Sequence, residues 1–119
     1  MITEEIKKEL TDNGVDYAAL VKRFMNMDKM AEKFLLKFPA DNTMKMYKEA
    51  LDANDVQALF NATHTLKGVC GNLCIDCILD IVTPAVEVYR AGSMDGAAET
   101  YEKIKAEYDK VCAVISKIA

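Results

Sequence analysis

Apolar residues recur every three or four positions through most of this chain, and that spacing suits helices and little else. In the last segment Ala97, Tyr101, Ile104, Tyr108, Val111, Ile115 and Ile118 make one continuous stripe. Leu59, Thr63, Leu66, Cys70 and Leu73 make a second, and Ile75, Ile78, Val82, Ala85 and Tyr89 a third. A fourth is split into Met27, Met30, Phe34 and Phe38, then Met44, Tyr47 and Leu51. No strand-period alternation of useful length, no internal repeat and no low-complexity linker breaks the pattern.

Capping residues and breakers divide the stripes. Asn26 can cap a helix that Pro39 then interrupts, because a proline disfavours helical geometry in the residue before it. Asp41 can cap the next piece, Asn54 the one after, Asp76 a fourth that stops at Gly92, and Ser93 the last. The spacing therefore predicts helices over about 27–53 with a break near 39, 55–73, 76–91 and 94–118. Two shorter amphipathic pieces precede them, Thr3 to about Asp12 and Asp16 to about Phe24. Short loops between long helices make neighbours antiparallel. The expected fold is all-α, an antiparallel up-down four-helix bundle with the short N-terminal helices covering one end. At 119 residues the chain reads as one domain, 1–119.

A net charge of −4 with no basic run argues against nucleic acid or an anionic membrane as partner. No apolar stretch approaches bilayer-spanning length. The first residues, Met-Ile-Thr-Glu-Glu-Ile-Lys-Lys, lack the basic start and apolar core of a signal peptide, so the expected location is cytoplasmic. The cysteines, Cys70, Cys74, Cys77 and Cys112, then read as reduced thiols. Cys74-x-x-Cys77 is a metal or redox spacing in other settings, but Cys70 and Cys112 fit apolar stripes, so no metal site is expected.

The chemistry concentrates in Phe60-Asn-Ala-Thr-His-Thr-Leu-Lys-Gly-Val-Cys-Gly-Asn-Leu73, which holds the only histidine. His64 lies about 100° round the helix from Thr63, beside the core stripe, and should reach solvent. Residues three, four and seven away share its face: Phe60 and Asn61 before it, Lys67, Gly68 and Gly71 after it. A glycine inside a helix costs about 1 kcal/mol relative to alanine. Two of them beside one histidine suit either tight helix packing or clearance for a large partner, and their shared side favours clearance. A neutral imidazole is a competent nucleophile, and a transferred phosphoryl group brings about two negative charges that Lys67 could offset. An incidental surface histidine and an ordinary solvated lysine are the plainer alternatives.

His64-Thr-Leu-Lys67-Gly68-Val-Cys-Gly71-Asn72-Leu73 resembles the signature of the histidine-containing phosphotransfer (HPt) domains of bacterial two-component phosphorelays. Ala50-Leu-Asp-Ala-Asn-Asp-Val resembles the turn before that family's histidine helix, and Val86-Glu-Val-Tyr-Arg-Ala-Gly92 the close of the following one. Gly14-Val-Asp and Phe24-Met-Asn-Met resemble its N-terminal entry. The resemblance implies a phosphocarrier without autonomous catalysis. His64 Nε2 would take a phosphoryl group from a receiver aspartate and pass it to another. Lys67 would be the supporting cation and Gly68 the clearance residue; from the helix face itself, Gly71 is expected to add clearance and Phe60 and Asn61 to join the docking face. No cofactor belongs to the chain, since in that family Mg2+ sits on the receiver. The implied partners are response-regulator receiver domains and a hybrid sensor histidine kinase, met by a monomer. The alternative is a helical docking module that never accepts phosphate. Two departures stand out: Cys74 occupies a position where many members have glycine, and Pro84 should kink the next helix. Thr83 and Glu87 on that helix are the candidates for orienting the imidazole.

Overall fold

The structure is a computed structural model that describes residues 2–118. It is all-α among those residues: α1 (Glu4–Asp12), α2 (Tyr17–Arg23), α3 (Asp28–Lys37), a 3-10 turn (Phe38–Ala40), α4 (Thr43–Asp52), α5 (Val56–Asn72), α6 (Asp76–Arg90) and α7 (Ala97–Ile115). The main packing runs α4 on α5, α5 on α6 and α6 on α7, and α7 returns to touch α4. Their inward faces hold Tyr47, Leu59, Leu66, Ile78, Val82, Ile104 and Ile115, all essentially buried.

The helix ends follow one device. At α1, α2, α4, α5 and α6 the second residue past the C-cap donates its N–H five residues back, as Ile75 does to Cys70 C=O (2.9 Å) and Asp55 to Ala50 C=O (3.1 Å). The residue between must turn left-handed. Gly14 and Gly92 do so freely, while Met25, Asn54 and Cys74 do so at φ of +57°, +51° and +54°. This explains Cys74: it fills a left-handed stop where glycine carries no strain.

The same device corrects several expected caps. Asn54 closes α4 instead of opening α5, and Asp55 is the true N-cap, its Oδ1 accepting from Ala58 N–H at 3.0 Å. Asn26 is left-handed (φ +62°), and α3 starts from Met27 without a side-chain cap. Asp41 Oδ1 does accept from Thr43 N–H (2.8 Å), but the N-cap position itself is Asn42. Asp76 is the first residue of α6, after Ile75. Ser93 Oγ accepts from Asp95 N–H in a tight turn, and α7 begins only at Ala97, after left-handed Gly96. Pro84 sits in α6 without ending it, on the exposed side.

The split stripe is mis-phased over α3. Ala31 and Leu35 face inward, while Met27, Met30 and Phe34 are exposed. The N-terminal helices gather where α5 turns into α6 and α7 ends. Lys117, past α7, pairs with Glu9 of α1 (3.0 Å). Val15 bridges Ile75, Asp16 N–H donates to Cys74 C=O (2.9 Å), and Cys77 N–H donates to Gly14 C=O (3.1 Å).

Candidate functional site

Two neighbours determine which side of α5 is free. Against α4 and α6 it buries Leu59, Ala62, Thr63, Leu66 and Cys70. Thr63 is polar yet fully buried, and its hydroxyl is satisfied by donating to Leu59 C=O (2.8 Å) one turn back. One position on, His64 points to solvent and is exposed.

Among the described residues the imidazole has one aromatic neighbour. Phe60, one turn earlier, lies with its centroid 5.6 Å from the imidazole centroid, the planes inclined by 36°. Arg90 of α6 reaches over the Phe60 ring, 4.9 Å from its centroid, while its Nε donates to Glu87 Oε2 (3.2 Å). Asn61 is exposed and accepts from Gln57 Nε2 at 3.2 Å.

The open side of the site is built from absent side chains. A Cβ placed on Gly68 or on Gly71 would meet nothing within 4 Å. Neither glycine is there to let another helix approach, so the packing explanation for them is excluded. Together with His64, Lys67, Asn72, Leu79 and Arg23 they line a shallow depression of about 340 Å³. Neither Lys67 nor Arg23 forms an ion pair with any described residue. Among the described residues the depression therefore holds two uncommitted cations and no carboxylate.

Thr83 and Glu87 are engaged on their own helix. The Thr83 hydroxyl donates to Leu79 C=O (2.6 Å), and the Glu87 carboxylate accepts from Arg90. Neither bonds to the imidazole, whose nitrogens have no hydrogen-bond partner among the described residues. Orientation of the ring by either residue is thus absent from this structure. Sequence reasoning missed Arg23 and Arg90. Arg90 shares a helix with Glu87 and could have been weighed as the cation one turn beyond it. Arg23 had no local signal, because only tertiary packing brings it to the site.

Beside this depression lies a larger, more apolar cleft of about 520 Å³, lined by Phe24, Phe34, Lys37, Phe38, Asp41, Val69 and Leu73 and sharing Arg23 and Asn72 with it. The thiols lie away from the depression's lining. Burial pushes all four upward, Cys77 to about 11, which disfavours the thiolate needed for redox or metal chemistry. Among the described residues no three His, Cys, Asp or Glu side chains are grouped to hold a metal ion, and no helix is long and apolar enough to cross a membrane.

No curated protein and no solved structure matches the chain. The family model described as Hpt domain does match, over residues 30–114, which takes in α4, α5, α6 and nearly all of α7. The exposed histidine helix lies within that match, and the chain belongs to the Hpt domain family of two-component phosphorelay proteins.

Proposed function

We propose that the chain is a histidine phosphocarrier that relays a phosphoryl group between aspartates of receiver domains. The observation that carries this reading is the exposed imidazole of His64 beside the open surface of Gly68 and Gly71, with the Lys67 ammonium unpaired. A receiver domain is a large body, and a bare helix face lets its active site approach the ring.

In the step, the lone pair on His64 Nε2 attacks the phosphorus of an aspartyl phosphate. The bond from phosphorus to the carboxyl oxygen breaks, and the carboxylate leaves with its electron pair. The imidazole keeps its Nδ1 proton, so the product is an imidazolium bearing a dianionic phosphoryl group, and charge balances. The reverse step onto a second receiver completes the relay. Lys67 offsets the charge of the incoming dianion. Phe60 and Asn61 flank the ring in the docking face. This chain contributes position and electrostatics, while Mg2+ belongs to the receiver and no cofactor of its own is invoked. The carrier acts as a single-domain monomer in the cytoplasm, on an antiparallel up-down four-helix bundle, between a hybrid sensor kinase and a response regulator. It has no autonomous catalytic activity.

Incubation with a receiver domain carrying radiolabelled phosphoryl should label the wild type and leave His64→Gln blank. Equal labelling of both would remove His64 from the role. One observation favours a second reading, a docking module that never accepts phosphate: no described residue hydrogen-bonds either ring nitrogen. Under that reading His64→Ala would retain both receiver binding and signalling.

A further inference from the structure

We propose that Arg23 is a phosphoryl-binding residue of this site, its guanidinium engaging the oxygens of a phosphoryl group carried on His64. The inference rests on the phosphocarrier reading and adds to it a residue from outside the matched region, which begins at residue 30.

Arg23 lines the same depression as His64, Lys67, Gly68 and Gly71. It is exposed and makes no ion pair with a described residue, so its charge is uncommitted. Its field is felt at the end of α5. Burial pushes the Cys74 thiol up, and the Arg23 charge draws it partly back. A lysine offers a compact point charge, whereas a guanidinium offers a planar fork that matches two phosphoryl oxygens at once. The two cations are therefore complementary.

The N-terminal helices are pinned so that this placement is fixed. Asp16 N–H donates to Cys74 C=O at 2.9 Å, and Cys77 N–H donates to Gly14 C=O at 3.1 Å. Gly14, at φ +94°, lies so close to Cys77 that an added Cβ would collide with its Cβ and Sγ. Leu20, on the inner side of α2, is fully buried. The connection leading into α2 is thereby tied to the turn that ends the histidine helix, and Arg23, its last residue, comes beside Gly71 and Asn72.

The test uses phosphoramidate, a small donor that needs no receiver. His64 Nε2 attacks its phosphorus, the donor's P–N bond breaks, and ammonia leaves with that electron pair. The pH titration of the phosphohistidine 31P resonance then reads the charges around the group. In Arg23→Gln the midpoint should rise by about half a unit at low salt, a threefold change, because an exposed cation no longer favours the dianion. The difference should shrink at high salt. Arg23→Lys should recover most of it, and Lys22→Gln, exposed on the same turn, should titrate as wild type. A labelled wild type with an identical Arg23→Gln midpoint would overturn the proposal alone, as would an equal shift in Lys22→Gln. A wild type no better labelled than His64→Gln would remove the phosphocarrier reading and this proposal together.

Discussion

Helices α5 and α3 are both amphipathic, yet they turn opposite kinds of residue toward solvent. α5 lies between α4 and α6, buries Leu59, Thr63 and Leu66, and displays an imidazole, an ammonium and two glycines. α3 packs mainly on α2 and the 3-10 turn, buries Ala31 and Leu35, and leaves Met27 50% and Phe34 37% exposed. The difference teaches that periodicity counts residues on a face, whereas neighbours decide which face goes inside. Two flanking helices leave α5 one solution. α3 carries two competing stripes, and the smaller one is buried. Phe34 then recovers contact by stacking on Phe24, 5.2 Å away and inclined by 18°, with Lys37 over its ring.

The sharpest way to break this contrast is to truncate one residue from each helix. Leu66 is 1% exposed, and Leu66→Ala should cost about 3 kcal/mol in a denaturant titration, from lost transfer energy and an unfilled cavity. Phe34→Ala should cost under about 1 kcal/mol, since only a partly wet stacked pair is lost. Equal costs would mean that α3 is as tightly built as α5. Next in size is the pin between the N-terminal pieces and the α5–α6 turn. Gly14→Ala should destabilise by about 2 kcal/mol, because the new methyl strains a left-handed residue and strikes Cys77. A neutral result would show that α2 is free to leave the site.

This contrast also marks how much was legible in the sequence. The α5, α6 and α7 stripes read correctly, since every core position from Leu59 to Leu73 is buried and only Tyr108 of the α7 stripe is half-exposed. The exposed histidine followed from one angular step beyond Thr63. Caps were read less well, because asparagine serves both as an N-cap and as a left-handed stop. Asn54 took the second role when Asp55 beside it could take the first. Arg23 was invisible for a different reason. It is remote from His64 along the chain, and its place depends on backbone bonds from Asp16 and Cys77 that carry no side-chain signature.

A pH series separates the two regions by their burial. Burial raises the thiols of Cys70, Cys74, Cys77 and Cys112, and none of these residues lies in α3. Below about pH 9 both folded and unfolded thiols stay protonated, and the shift has no effect on stability. Above it the unfolded chain releases protons that the fold retains, so stability falls as pH rises, through about 11 for Cys77. Denaturation midpoints from pH 8 to 10.5 should therefore decline, and Cys77→Ala should flatten part of the decline. A flat wild-type profile would mean that the thiols are as accessible as those of the unfolded chain.

The smallest stability effect carries the most information about the site. An alanine at Gly68 finds open space and a right-handed helical backbone. Gly68→Ala should therefore stabilise the fold by about 0.5–1 kcal/mol, the ordinary helix-interior difference. That sign is opposite to the one expected at Gly14, although the substitution is the same. The chain leaves this stabilisation unused beside its only histidine, and the proposed docking of a receiver gives the reason. Phosphoramidate labelling of His64 should be unchanged in Gly68→Ala, because the donor is small. Transfer from a receiver should slow, because a methyl now stands on the approach. Faster or equal receiver transfer in the stabilised variant would show that the bare surface is not a clearance, and the gap between the two donors is the measurement that decides it.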